Sequence, residues 1–152
     1  MGIKAVSAAQ YIVGKSGKPV TPMRLLKLVY IAHGYSLGLR SAPLVDERVF
    51  AWQYGPIIPG LYNAVREFRS SPVTWVPGAY VETLSDGDKA VLDRVITTYD
   101  QATAIQLSAA MHQRGSPWSI IWGSTGHNAV IPDELIELFY QKLLQQPTHS
   151  AL

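Results

Sequence analysis

The 152 residues contain no cysteine. Disulfides, cysteine-containing zinc sites, iron–sulfur clusters and thiol nucleophiles are excluded together, and a reducing compartment is compatible with the composition. Charge is scarce, at 16% of residues against 47% hydrophobic. Disorder is therefore excluded as the dominant state, since disordered chains combine low hydrophobicity with high charge. Long apolar runs are missing too. The longest uncharged stretches, 49–65 and 115–132, are both broken by Pro and Gly, so no membrane span is expected. The first fifteen residues show no basic cap leading into an apolar run, so no secretory leader is expected either. The reading is a cytoplasmic protein with no membrane partner.

Acidic residues are absent from the first 45 positions, Asp46 being the first. Residues 1–76 carry a net charge of +6 and residues 77–152 a net of −4. A basic half can meet nucleic acid, an acidic partner or its own acidic half. The formal total of +2 is low for a dedicated nucleic-acid binder. The length fits one domain, placed at 1–146, with 147–152 expected to fray.

The pattern is mainly helical: a compact helical bundle with a small central β element. Apolar spacing places a first helix over 4–15. Thr21 is an N-cap and Pro22 a first helical residue for a second helix, which is apolar nearly all round and so expected at the centre. Gly34 and Gly38, four apart, would let another element approach its backbone. Residues 44–54 look extended, GPIIPG turns the chain, and a helix follows over 59–69. Residues 72–83, around Pro77-Gly78, predict a small hairpin. Ser85 with Asp88 and Thr103 with Gln106 mark two further helix starts. Pro117-Trp118 opens a short turn or helix, and the last helix begins near Pro132 with Leu135, Leu138, Phe139 and Leu143 facing inward.

Chemistry is hard to place on this chain. His33, His112, His127 and His149 have no second ligand at a tight spacing. His33 reads as a satisfied core histidine, His112 as a helix C-terminal residue. Asp46 and Glu47 are adjacent and expected in solvent. Phosphate-binding loops and nucleophile elbows are absent. No enzyme, cofactor or metal is expected. A helix-turn-helix reading lacks the exposed polar face that a recognition helix needs. What stands out is AWQYGPIIPGLY at 51–62. Gly55 permits an unusual backbone angle, Pro56 and Pro59 stiffen the turn, and Trp52, Tyr54 and Tyr62 bring large amphipathic surfaces to it. The corner is either packed on the core or presented to a protein partner.

Three blocks resemble the Panacea-domain family of SocA-like antitoxins, including its GepA-like phage-associated branch. They are PVTPMRLLKLVYIAHGYSL at 19–37, LVDERVFAWQYGPIIPGLY at 44–62 and LSAAMHQRGSPW at 107–118, the last with His112, Pro117 and Trp118. The ending IPDELIELFY also resembles that branch. Leu26 stands where the family usually has Gln, Arg24 where it has Lys, and Met111 where it has Thr; Leu26 adds apolar surface, expected in the core. The resemblance implies an antitoxin that neutralises a cognate protein toxin, commonly encoded by the adjacent gene, on a prophage or mobile element. It also implies an alternative to plain inhibition, an adaptor delivering the toxin to a protease; the basic first half separately leaves open a DNA-binding regulator of its own operon. The expected partner surface comprises Trp52, Tyr54 and Tyr62, with Arg24, Lys27 and Trp118.

Overall fold

The computed structural model describes residues 2–146; the expectation for 147–152 lies outside the described residues. The helices are α1 (Lys4–Lys15), α2 (Pro22–Arg40), α3 (Pro59–Val65), α4 (Asp86–Thr98), α5 (Ala104–Met111), α6 (Pro117–Ser124) and α7 (Asp133–Leu144). The strands are β1 (Val49–Trp52), β2 (Gly55–Ile57) and β3 (Ala129–Ile131). The fold is mainly α with one small sheet, as the pattern predicts.

Local signals start the helices where expected. The Thr21 side chain accepts from the Arg24 amide. Ser85 and Asp88 form a reciprocal capping box, as do Thr103 and Gln106. Ser116 caps α6, with Pro117 at its first position. The first turn of α1 has no cap of its own, since Ile3 occupies the N-cap position. Glu47 supplies one from elsewhere: its Oε2 accepts from the Ala5 amide at 3.2 Å. The expectation of a solvated Glu47 is thus corrected. It is half-buried, and burial raises its pKa.

Helix α2 runs through the centre and packs against α1, α3, α4, α5 and, most extensively, α7. Its two glycines make that last contact. A Cβ on Gly34 would lie 2.3 Å from Tyr140 Cε2, and one on Gly38 would lie 3.0 Å from the Tyr140 backbone carbon. Tyr140 therefore occupies a notch in α2. This sets the rotation of α7, whose buried residues are Ile136 and Tyr140 while Leu138 is exposed. The inward stripe read from the sequence is corrected on that point.

The sheet has the order β2-β1-β3, all antiparallel. Trp52 pairs with Gly55, and Val49 with Ile131. GPI, read as part of a turn, is a strand, and the turn lies at 53–54. The expected hairpin at 72–83 is not formed. The Val73 amide donates to Val20 O, the Val76 amide to Gln10 Oε1 and the Tyr80 amide to Ser7 Oγ. These donors are taken by the α1–α2 connection and by α1 side chains rather than by a facing strand. Val73 and Val76 are buried while Trp75 and Tyr80 are exposed. The β-like alternation belongs to an extended strap lying across α1.

Part of the charge is settled between the halves. Lys4 and Arg40 both meet the buried Asp88, at 2.6 and 2.5 Å, and Lys18 meets Asp100 at 3.5 Å. Each pair joins the basic half to the acidic half. His33 is fully buried and satisfied, accepting from the Val45 amide at Nδ1 and donating from Nε2 to Asp133.

Candidate partner-binding site

The hairpin corner is held from below by α5 and α6. The Trp118 indole N–H donates to Trp52 O at 2.7 Å. Trp118 meets the His112 ring edge-on at 4.3 Å and stacks on Trp122 at 5.4 Å. His112 is oriented by a 2.6 Å hydrogen bond from Nδ1 to Ser108 O, one turn back on α5. Gly55 sits on this ring with φ +122°, and a Cβ there would lie 3.4 Å from His112 Cε1. No other residue type adopts that backbone easily in so close a contact. Blocks far apart in sequence, 51–56 and 107–118, therefore build one corner.

From above, Trp52 donates its indole N–H to Asn128 Oδ1 at 2.9 Å, and the Asn128 amide donates to Ala51 O. The Tyr62 ring, from α3, meets Trp52 edge-on at 5.4 Å. Pro59, at the first position of α3, starts the helix that carries Tyr62. Pro56 is buried within β2. Tyr54, at the hairpin tip, is 73% exposed. Trp52 and Tyr62 are thus held by polar and ring contacts but keep surface open to solvent, and Tyr54 stands exposed beside them.

A groove of about 360 Å³ runs between α2, the hairpin and α3. Pro22, Met23 and Leu26 line it from α2, and Trp52, Tyr54 and Ile57 from the hairpin. Tyr62 and Val65 complete its apolar wall. Its charged lining is wholly basic: Lys27, Arg66 and Arg69. Lys27 is 8% exposed, and burial lowers its pKa.

Four of the six expected partner residues, Lys27, Trp52, Tyr54 and Tyr62, meet at this groove. Arg24 and Trp118 do not. Arg24 turns to the α4–α5 connection, donating to Tyr99 O, Ala102 O and Asp100 O at 2.8, 3.0 and 3.4 Å. Trp118 lies half-buried beneath the hairpin. Leu26 packs against the core and also lines the groove. Sequence reading missed Met23, Ile57, Arg66 and Arg69. Only the three-residue spacing of Met23 with Leu26 and of Arg66 with Arg69 could have marked a shared face.

Among the described residues no cluster of His, Asp or Glu could hold a metal ion. No described helix is long and apolar enough to cross a membrane. The geometry is that of a built surface carrying large aromatic side chains and unanswered positive charge.

Residues 25–119 match the family model described as antitoxin SocA-like, Panacea domain. Over 120 residues the chain is 29% identical to antitoxin SocA of Caulobacter vibrioides (strain NA1000 / CB15N). That alignment covers 72% of this chain and 64% of the relative, so the match spans just under two thirds of the relative's length. No solved structure matches. The matched stretch takes in Lys27, the whole hairpin corner, Tyr62 and the His112–Trp118 support, and the chain belongs to the SocA-like, Panacea-domain antitoxin family.

Proposed function

We propose that the chain is an antitoxin that neutralises a cognate protein toxin by direct, non-catalytic binding. The toxin would be encoded beside it, and both would act in the cytoplasm. One observation carries the reading. The distinctive residues of the 44–62 block hold Trp52 and Tyr62 and present Tyr54 around one groove rather than burying them in the core. Aromatic side chains held rigid and partly open are what protein interfaces use as anchors. The antitoxin relative supports a toxin as the partner.

Inducing the adjacent gene with and without this one tests the reading. Growth arrest relieved by the chain, with the two products co-purifying, is the expected outcome. Relief without co-purification would remove direct binding, and no relief would remove the antitoxin role. Toxin half-life measured in the same cells separates plain inhibition, in which turnover is unchanged, from delivery to a protease.

A further inference from the structure

The groove contains a cation that the fold leaves unanswered. Lys27 is 8% exposed and lines the groove. Among the described residues its ammonium has neither hydrogen bond nor ion pair. The aliphatic stem is covered and the ammonium emerges at the groove, where no protein group answers it. Three other half-buried cations are provided for: Lys4 and Arg40 share Asp88, and Arg24 meets three carbonyls. Arg66 and Arg69, both exposed, line the same groove and have no ion pair among the described residues. The groove's lining includes no acidic residue.

We propose that this groove takes an acidic, apolar-anchored segment of a protein partner, with a carboxylate pairing to Lys27 and an adjacent aliphatic or aromatic side chain against the Trp52–Tyr62 wall. The inference rests on the reading above that the partner is a protein toxin, and adds the chemistry of the toxin segment. Charge complementarity selects the carboxylate, since the charged lining is three cations with no acid among them. The apolar lining selects protein over nucleic acid. A phosphate backbone calls for a run of solvated cations along a track, whereas here three cations share a lining with Met23, Leu26, Ile57 and Val65.

The test uses the full chain, wild type and Lys27→Met, with a displayed random library of short linear peptides as the probe. Methionine keeps the bulk of the stem and removes the charge. Wild type is expected to enrich peptides with Asp or Glu beside Leu, Ile, Phe or Trp. Synthetic copies should bind Lys27→Met about tenfold or more weakly. Lys27→Met removes no hydrogen bond or ion pair of the fold and should melt within a few degrees of wild type, which separates lost recognition from lost folding. Exchange of both exposed arginines, Arg66→Glu with Arg69→Glu, should also weaken binding. No enrichment, enrichment without acidic bias, or unchanged affinity for Lys27→Met overturns the inference. So does displacement of the peptides by a short single-stranded DNA. Growth rescue keeps the two readings apart. If Lys27→Met relieves the toxin as well as wild type does, the groove chemistry fails and the antitoxin reading stands. If wild type relieves nothing, the antitoxin reading fails and the peptide result still judges the groove.

Discussion

Substituting Gly34 by Ala puts a methyl group where α7 already lies. The new Cβ would sit 2.3, 2.4 and 2.7 Å from Tyr140 Cε2, Cδ2 and Cζ. Carbon atoms in contact need about 3.5–4.0 Å, so the ring must move by more than about 1 Å. It has little room to do so. Tyr140 is 5% exposed and its ring meets those of Tyr30, Tyr35 and Phe139. Overpacking of this kind typically costs about 1–3 kcal/mol, occasionally more, and an overlap on a wedged ring belongs at the upper end. Against it stands the helix preference for Ala over Gly, about 1 kcal/mol. The net expectation is a loss of about 2 kcal/mol. With an m value of about 2 kcal/mol/M, the urea midpoint followed by tryptophan fluorescence should fall by about 1 M. Gly14→Ala is the control. Gly14 lies exposed in α1 and its Cβ would meet nothing within 4 Å, so a gain of about 0.5–1 kcal/mol is expected there. A double-mutant cycle with Tyr140→Leu locates the clash, because Gly34→Ala should be neutral or stabilising once the ring is gone. A Gly34→Ala midpoint equal to wild type, or the same loss in the Tyr140→Leu background, would refute the notch.

Four further outcomes follow from the same geometry. Trp118→Phe removes the indole donor to Trp52 O and should cost about 1–2 kcal/mol in urea unfolding, weakening toxin binding by loosening the hairpin; unchanged stability would show that the 2.7 Å contact holds nothing. Arg24→Met should cost about 1–3 kcal/mol of stability, because three carbonyls lose a charged donor; toxin binding lost at full stability would return Arg24 to the interface. Tyr54→Ala should leave unfolding within about 0.5 kcal/mol of wild type yet weaken toxin binding, read by calorimetry, by about 1–4 kcal/mol. Burial acts to raise the Asp88 pKa, but hydrogen bonds from Lys4, Arg40 and the Ser85 amide outweigh it and hold the carboxyl down at about 2, below its ordinary 3.8. A depressed carboxylate contributes stability above its unfolded value, and that contribution is lost as pH falls from about 4 through about 2. The gap between wild type and Asp88→Asn in urea midpoint should therefore narrow over that window by about 2 kcal/mol equivalent, and a gap independent of pH would contradict the network.

The helix starts and the central place of α2 were legible in the residues, and so was the corner at 51–62, for a common reason. A cap, a proline at a first position or an apolar run declares itself within one or two turns of chain. Gly34 and Gly38 announced a close approach in the same way, although they could not name Tyr140. The three residues of β3 are too few to show alternation, and their pairing with β1 depends on a chain segment nearly eighty residues away. Residues 72–83 show the converse. Their alternation is real, but its partners are the α1 side chains of Ser7 and Gln10 rather than a strand.

The chain's local chemistry determined which residues were unusual, and only the tertiary structure decided what each one is for. Arg24 and Lys27 lie one turn apart on α2, and in the sequence they are equivalent basic residues in a half poor in acids. Folding sends Arg24 to the carbonyls of the α4–α5 connection and leaves Lys27 unpaired in an apolar groove. Trp52 and Trp118 are likewise equal as sequence, yet one forms the wall of the groove and the other supports its carbonyl from beneath. Exposure and pairing are properties of what arrives from elsewhere in the chain. A side chain's type fixes the interactions it is capable of, and the long-range packing around α2 selects the one it makes.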